Sequence, residues 1–404
     1  MSKRGRFGKA SVRDAEVEGR TVLVRADLNV PLSGGAVGDD TRIRAALPTI
    51  ELLRDRGAKV VLCSHLGRPK GRDPELSMRP VAVRIGELLG TEVALAPGVV
   101  GDEVEAAAAA LAPGDVLLLE NTRWEEGEKA NDAALADRLA ELADVYVNDA
   151  FGAAHRAHAT TEGVAHRLPA YAGLLLEREV RELTSVLDDP ARPLVVVLGG
   201  AKVTDKVGVI ERFLEIADRI LIGGAMCFSF FRAQGHETGD SLVEEEGIEL
   251  ARRALELAAG SDCELDLPTD LVLGARFSAD AEPVAAEGVD VPDGMMGLDI
   301  GPASARAYAD AIAAAGTVFW NGPMGAFELP PFAAGTRAVA EAVAGTGATT
   351  IVGGGDSGAA LTEFGLADEV SWLSTGGGAS LELIEGKPLP GVEALRDSDG
   401  EDES

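Results

Sequence analysis

The chain has 404 residues, 46% of them hydrophobic, which is more than one core usually fills and makes two domains the expectation. Its net charge of −30 offers no basic face to a phosphate polymer, which argues against nucleic acid and acidic membranes as partners, and no apolar run reaches the roughly 18 residues of a membrane span. The basic start Met1-Ser-Lys-Arg-Gly-Arg-Phe-Gly-Lys9 lacks the apolar stretch of a signal peptide, and Cys63, Cys227 and Cys263 lack metal-ligand spacing, so the expectation is a cytoplasmic protein with reduced thiols.

Short β-branched runs alternate with amphipathic stretches along the whole chain, the pattern of parallel α/β architecture. In the first half strands are expected at 21–26, 58–63, 92–95, 115–119 and 144–147, with helices at 43–56 and 132–142 among them. The charged amphipathic stretch 176–187, stopped by Asp188-Asp-Pro190, reads as a helix connecting two domains. In the second half strands are expected at 194–198, 219–222, 270–273, 317–320, 349–352 and 370–373, and helices at 203–217, 244–259 and 332–343. The fold class expected is therefore α/β, with two doubly wound, Rossmann-like parallel sheets joined by a hinge. The acidic tail Ser398-Asp-Ser-Asp-Gly-Glu-Asp-Glu-Ser404 is too charged to bury and is expected to be disordered.

Open parallel sheets bind ligands beyond the carboxyl ends of their strands. In the first half those ends carry arginine and histidine: Arg25-Ala-Asp-Leu-Asn29, Ser64-His-Leu-Gly-Arg68, Glu120-Asn-Thr-Arg123 and Asn148-Asp-Ala-Phe-Gly-Ala-Ala-His-Arg156. Any one arginine is more often a surface ion pair. Arg25, Arg42, Arg68, Arg123 and Arg156, with His65, His155 and His158, are together suited to forked recognition of phosphate or carboxylate. Asp27 and Asn29 add acceptors for a substrate hydroxyl. In the second half the ends carry glycine: Gly199-Gly-Ala-Lys-Val-Thr-Asp-Lys206, Gly223-Gly224, Asn321-Gly-Pro323 and Gly353-Gly-Gly-Asp-Ser357. Lys202 and Lys206, four apart, are expected on one helical face at a helix start, an unfavourable place for a cation and so a sign of function. One edge thus fits a small, highly charged acid and the other a nucleotide, as a two-substrate transferase requires.

Residues 353–358 match G-x-G-x-x-G, bare N–H groups at a helix start that suit phosphate, although a tight glycine turn is the simpler reading of a lone match. An NAD-dependent oxidoreductase is the alternative, weakened because the next strand ends in Leu373-Ser-Thr-Gly376 without a ribose-binding acid. A non-catalytic two-lobed anion-binding protein is a second rival, but it would need neither Lys202 nor Lys206. Glu328 could hold ribose hydroxyls or sit solvated, and its position leaves both open. No Walker, protein-kinase, G-x-S-x-G or H-E-x-x-H motif is present, and no nucleophile is paired with a base. A carboxylate acceptor would need none.

These segments, with Asp40-Thr-Arg-Ile-Arg-Ala-Ala-Leu-Pro-Thr-Ile50 and Trp320-Asn-Gly-Pro-Met-Gly-Ala-Phe-Glu328, resemble the motifs of the phosphoglycerate kinase family, in order and over nearly the whole chain. The departures are Ala26 and Leu28 in place of a bulkier pair and Trp124 where Phe is common. The resemblance implies Mg2+-dependent transfer between ATP and 3-phosphoglycerate, giving ADP and 1,3-bisphosphoglycerate, in glycolysis and gluconeogenesis, by a monomer with small-molecule partners only. It implies an N-domain over 1–178 for the glycerate, a connector at 179–192, a C-domain over 193–383 for the nucleotide, and a final segment, 384–404, returning to the N-domain. It assigns the glycerate to Asp27, Asn29, Arg42, His65, Leu66, Gly67, Arg68, Arg123 and Arg156, with Arg42 clamping the acceptor carboxylate. It assigns the nucleotide to Lys202, Lys206, Gly223, Gly224, Leu298, Asn321, Pro323, Glu328, Gly353, Gly354, Gly355, Asp356 and Ser357. Arg42, Lys202 and Lys206 take the catalytic roles, and Asp356 is the Mg2+ ligand.

The acidity has its own consequence. With eight lysines against 67 acidic residues, the surface matches a halophilic, salt-adapted protein. Salt shortens the reach of self-repulsion from about 10 Å at 0.1 M to about 3 Å at 1 M. Thermal unfolding should move clearly upward between those conditions, and a flat melting temperature would reduce the acidity to composition drift.

Overall fold

The computed structural model describes residues 7–398, so the acidic tail beyond Ser398 lies outside the described residues. Within them the chain divides into two compact units, one of residues 7–181 with 387–398, the other Glu182–Gly386. The division falls inside the helix Leu174–Asp188.

The N-terminal unit is built on six parallel strands in the order Ala94–Leu95, Val116–Leu118, Lys59–Cys63, Thr21–Arg25, Val145–Asn148, Ala170–Ala172. Its central strands are covered on both faces, which is why they read as unbroken apolar runs rather than as alternation. Helix Thr41–Asp55 packs Ile43, Ala46, Ile50 and Leu53 into the core beside the strands. Helix Ala133–Ala140 starts where the Asp132 carboxylate accepts from Leu135 N at 2.9 Å. Residues 387–398 belong to this unit. Lys9 Nζ donates to the carbonyls of Glu393 and Leu395, and Asn148 Nδ2 donates to Gly391 O at 2.9 Å.

The C-terminal unit has a second six-stranded parallel sheet, ordered Glu264–Asp266, Arg219–Ile222, Leu194–Leu198, Thr317–Asn321, Thr349–Gly353, Trp372–Leu373. This is the order of a doubly wound dinucleotide-binding sheet. One expectation fails here. Residues 270–273 do not join the parallel sheet: strand Leu271–Gly274 is the centre of a separate antiparallel sheet with Val284–Ala286 and Met296–Ile300. That sheet packs Leu298 on Phe332 and Ala281 in a small core of its own. The other expected strands and helices form within a few residues of their expected bounds, and the three cysteines are free and buried.

Helix Leu174–Asp188 is started by a buried acid. Asp149, at the end of strand Val145–Asn148, accepts from Leu175 N at 2.9 Å and Leu176 N at 3.3 Å. A Cβ on Gly173 would fall 2.1 Å from Asp149 Oδ1, so only glycine admits the carboxylate there. Burial raises the Asp149 carboxyl to about 7 against the hydrogen bonds that oppose it. Its folded pKa lies above the unfolded value near 3.8, so the stability it contributes is complete below that value and is lost as pH rises to about 7. Unfolding midpoints of Asp149→Asn should therefore gain on the parent as pH rises from 4 to 7. A constant difference between the two proteins over that window would show that Asp149 is ionised throughout.

Candidate functional site

In each parallel sheet the strand order reverses at a switch point, and the singled-out residues collect there. In the N-terminal unit the switch falls between strands Thr21–Arg25 and Val145–Asn148. Asn29 Oδ1 accepts from Gly67 N at 2.8 Å, and Arg123 Nη1 donates to Gly67 O at 2.6 Å, which ties three strand-end segments into one edge. Asn121 holds the same turn, accepting from Leu66 N and donating to Leu66 O. Leu66 is buried, with both of its backbone groups held by Asn121.

Of the five arginines, only Arg42 has a carboxylate partner among the described residues, Asp27 Oδ2 at 2.8 Å. Asp27 is buried, and Arg42 lies in the first turn of helix Thr41–Asp55. Arg68 and Arg156 are exposed, and Arg156 Nε donates to His155 Nε2. The Arg123 Nε is buried without a hydrogen-bond partner among the described residues. Arg123 is depressed from its ordinary value by burial and then by Arg156, Arg25 and Arg68. Burial and the surrounding arginines also hold His65 well below 6.5 and His158 down to about 4, so both imidazoles are neutral at physiological pH. A cluster of cations with one ion pair between them is a site for an anion.

Arg25 differs from the other four. It is 1% exposed and donates to Thr160 Oγ1 at 2.9 Å and to His65 Nδ1 at 3.0 Å, so it stands behind the edge rather than on it. Glu128 and Thr160 escaped the sequence reading. Glu128 is 1% exposed and accepts from Thr160 N and Oγ1, yet in sequence it is one more acid in the charged run Glu125-Glu-Gly-Glu128.

In the C-terminal unit the switch falls between Leu194–Leu198 and Thr317–Asn321, where two glycine-rich segments meet backbone to backbone. Gly199 N donates to Asn321 O at 3.0 Å, Gly200 N to Pro323 O at 2.9 Å and Gly224 N to Met324 O at 2.9 Å. A Cβ on Gly199 would lie 2.1 Å from Pro323 O, and one on Gly224 only 2.4 Å from Gly200 N, so these glycines are required by close approach. Gly223, at the same crossing, would meet Met324.

The two lysines do not share a helical face. The helix begins at Val207, with Lys206 as its capping residue, and 203–206 form a turn. Lys206 is buried, its Nζ donating to Gly199 O and to Asn321 O, while Lys202 is exposed. Burial lowers Lys206 to about 8, with Asp356 and Asp205 acting the other way. From this turn the Lys206 ammonium lies across the carbonyls of Gly199 and Asn321, a tertiary contact that local helical propensity could not reveal.

Strand Thr349–Gly353 leads through Gly354, at φ +93°, into helix Gly355–Glu363, whose first turn carries the exposed Asp356. Ser357 is buried, its hydroxyl accepting from Gly322 N at 2.6 Å, so it braces the loop and leaves only backbone for a ligand. Asn321 Nδ2 is buried without a hydrogen-bond partner and lies 3.1 Å from where a Gly354 Cβ would stand. Leu298 is 8% exposed, and its carbonyl accepts from Ala326 N at 2.8 Å, which joins the small sheet to the loop bearing Pro323 and the exposed Glu328. Leu242, 63% exposed, follows Ser241, whose hydroxyl accepts from Gly297 N at 2.9 Å.

Comparison with known proteins covers nearly the whole chain. A phosphoglycerate kinase family model covers residues 12–387. Phosphoglycerate kinase of Moorella thermoacetica is 56% identical over 390 residues, covering 96% of this chain and 99% of its own. The cytosolic phosphoglycerate kinase of Triticum aestivum is 53% identical, over 95% of this chain and 96% of its own. Among solved structures, that of phosphoglycerate kinase from Coxiella burnetii superposes with a TM-score of 0.85 at 41% identity, covering 96% of this chain and 98% of that one.

Proposed function

The chain belongs to the phosphoglycerate kinase family, and on that premise we propose that its arginine-lined edge holds 3-phosphoglycerate while its glycine-rich edge holds ATP or ADP. The family's reaction is phosphoryl transfer between ATP and the carboxylate of 3-phosphoglycerate, a glycolytic step, and this enzyme is a phosphotransferase of that kind. The NAD-dependent alternative is set aside by the same membership. The observation that carries the division of labour is the cluster Arg42, Arg68, Arg123 and Arg156, which has one carboxylate partner for four guanidinium groups among the described residues.

The acceptor carboxylate is ionised at neutral pH and attacks phosphorus directly, so catalysis rests on positioning and charge stabilisation. Arg68, Arg123 and Arg156 have N–H groups left for the substrate phosphate, and His65 adds a neutral donor. Arg42 has spent one nitrogen on Asp27 and can turn the rest of its fork to the acceptor carboxylate, with Asp27 and Asn29 at the substrate hydroxyl. On the other unit the Gly354 and Gly355 N–H groups and Asn321 Nδ2 are donors for nucleotide phosphate, and Leu298, Pro323 and Glu328 flank the adenosine.

Mg2+ enters as part of the nucleotide substrate, and Asp356 fits it: the ion commonly takes one or two carboxylates plus phosphate oxygens and water. When bound it would neutralise phosphate charge, and Asp356 in the first helical turn would hold it. Because donor and acceptor bind on different units, the reading requires a hinge motion that brings them together. The wheat relative is named cytosolic and no helix among the described residues is long and apolar enough to cross a membrane, which supports a cytoplasmic enzyme.

Two measurements test the assignment. Arg68→Ala or Arg123→Ala should weaken 3-phosphoglycerate binding in calorimetry while ADP binding holds, and equal losses of both affinities would defeat the division. Lys206 is committed to two carbonyls, so Lys202 is the ammonium left to meet charge spreading over the phosphoryl oxygens. Lys202→Ala should lower kcat by about 10²–10³ with KM for 3-phosphoglycerate within a few-fold, and Lys202→Arg should recover part of it. An unchanged kcat with only a raised KM for ATP would demote Lys202 to ground-state binding.

A further inference from the structure

Behind the arginine edge runs a buried chain of four polar side chains: Glu128, 1% exposed, Thr160, 0%, Arg25, 1%, and His65, 7%. Thr160 N donates to Glu128 Oε2 at 3.0 Å, and Thr160 Oγ1 donates to Glu128 Oε1 at 2.6 Å. With its hydroxyl hydrogen committed, Thr160 Oγ1 accepts from Arg25 Nε at 2.9 Å. The Thr160 carbonyl accepts from Tyr146 Oη at 2.7 Å, so every polar group of this threonine is used. Arg25 Nη2 then reaches His65 Nδ1 at 3.0 Å.

A guanidinium can only donate, so His65 Nδ1 must be the bare acceptor and Nε2 must carry the proton. Arg25 has no carboxylate within ion-pair distance among the described residues, and its negative counter-charge is Glu128, relayed through one hydroxyl. A buried cation without compensation is unstable, so the relay is what lets Arg25 remain charged and aimed. Other groups reinforce the neutral ring. Arg42, Arg123 and Arg156 oppose a charge on His65; Arg25, Arg123, Arg156 and Lys129 oppose one on His158; and Cys63 and Tyr146 keep their protons under burial.

We propose that Glu128 is a positioning residue that acts through Thr160 and Arg25 to fix His65 as the Nε2–H tautomer, making it a neutral hydrogen-bond donor to the anion held at this edge. The proposal rests on the glycerate reading for the identity of that anion and on nothing else in it. A neutral donor suits a site that already carries several guanidinium groups, since a protonated ring would add repulsion among them.

The test is ring 15N spectroscopy of the whole protein, whose five histidines allow His65 to be assigned by its loss in His65→Gln. The parent should show an unprotonated Nδ1 and a protonated Nε2, unchanged from pH 5.5 to 8. Thr160→Val removes the relay hydroxyl. It should give a tautomer mixture or a titration near the free value of about 6.5, and calorimetric affinity for 3-phosphoglycerate should fall by about tenfold. Thr160→Ser should restore both. If Thr160→Val does not fold, Glu128→Gln keeps the shape without the charge and should disturb the same ring signals. A parent ring that titrates normally, or one unchanged in these variants, overturns the proposal. A changed ring with intact 3-phosphoglycerate affinity overturns the donor role. Failure of the glycerate reading itself would look different, with Arg68→Ala and Arg123→Ala leaving that affinity intact.

Discussion

The reversal of strand order inside each parallel sheet is the constraint from which the rest follows. Two neighbouring strands whose connections leave toward opposite sides open a crevice at their carboxyl ends. The chain must fill, brace or charge that crevice. In the C-terminal unit it is braced by backbone, with Gly199 and Asn321 hydrogen-bonded across the gap and the buried Lys206 ammonium bound to both carbonyls. In the N-terminal unit it is braced by side chains, Asn29 and Arg123 gripping the two sides of Gly67. The same topology thus produces a bare N–H surface on one unit and a cationic one on the other.

The charge distribution reconciles a protein of net charge −30 with polyanionic ligands. Elsewhere arginines are commonly paired, as Arg84 is with Asp40 and Glu87. At the ligand edge, pairing within the protein is mostly withheld. Arg123 is partly desolvated among the other guanidinium groups, and burial keeps the nearby histidines neutral. Such an arrangement is strained until an anion arrives, and the local field outweighs the distant negative surface because screening limits the reach of exposed charge to about 8 Å at physiological ionic strength.

Much of this was legible in the chain. Runs such as Leu194–Leu198 and Thr21–Arg25 are apolar because both of their faces are covered, and the Gly and Arg clusters mark the strand ends that follow. What stayed hidden has physical causes. Strand Glu264–Asp266 is a half-exposed polar edge, and Met296–Ile300 contains Gly297 and Asp299, so neither shows a periodic pattern. The turn at 203–206 sets Lys206 against the distant carbonyls of Gly199 and Asn321, a tertiary contact with no local signature. Glu128 looks like a solvated acid until the fold buries it against Thr160.

The most direct test of the central claim, one edge for the acid and the other for the nucleotide, uses the three tryptophans as built-in reporters. Trp124 adjoins Arg123 in the N-terminal unit; Trp320, whose indole N–H donates to Gly322 O at 2.8 Å, and Trp372 belong to the C-terminal sheet. Indole N–H signals should be followed while each ligand is added alone. The account predicts that 3-phosphoglycerate shifts the Trp124 signal and leaves Trp320 in place, and that ADP with Mg2+ does the reverse. A Trp320 signal that responds to 3-phosphoglycerate while Trp124 does not would contradict it.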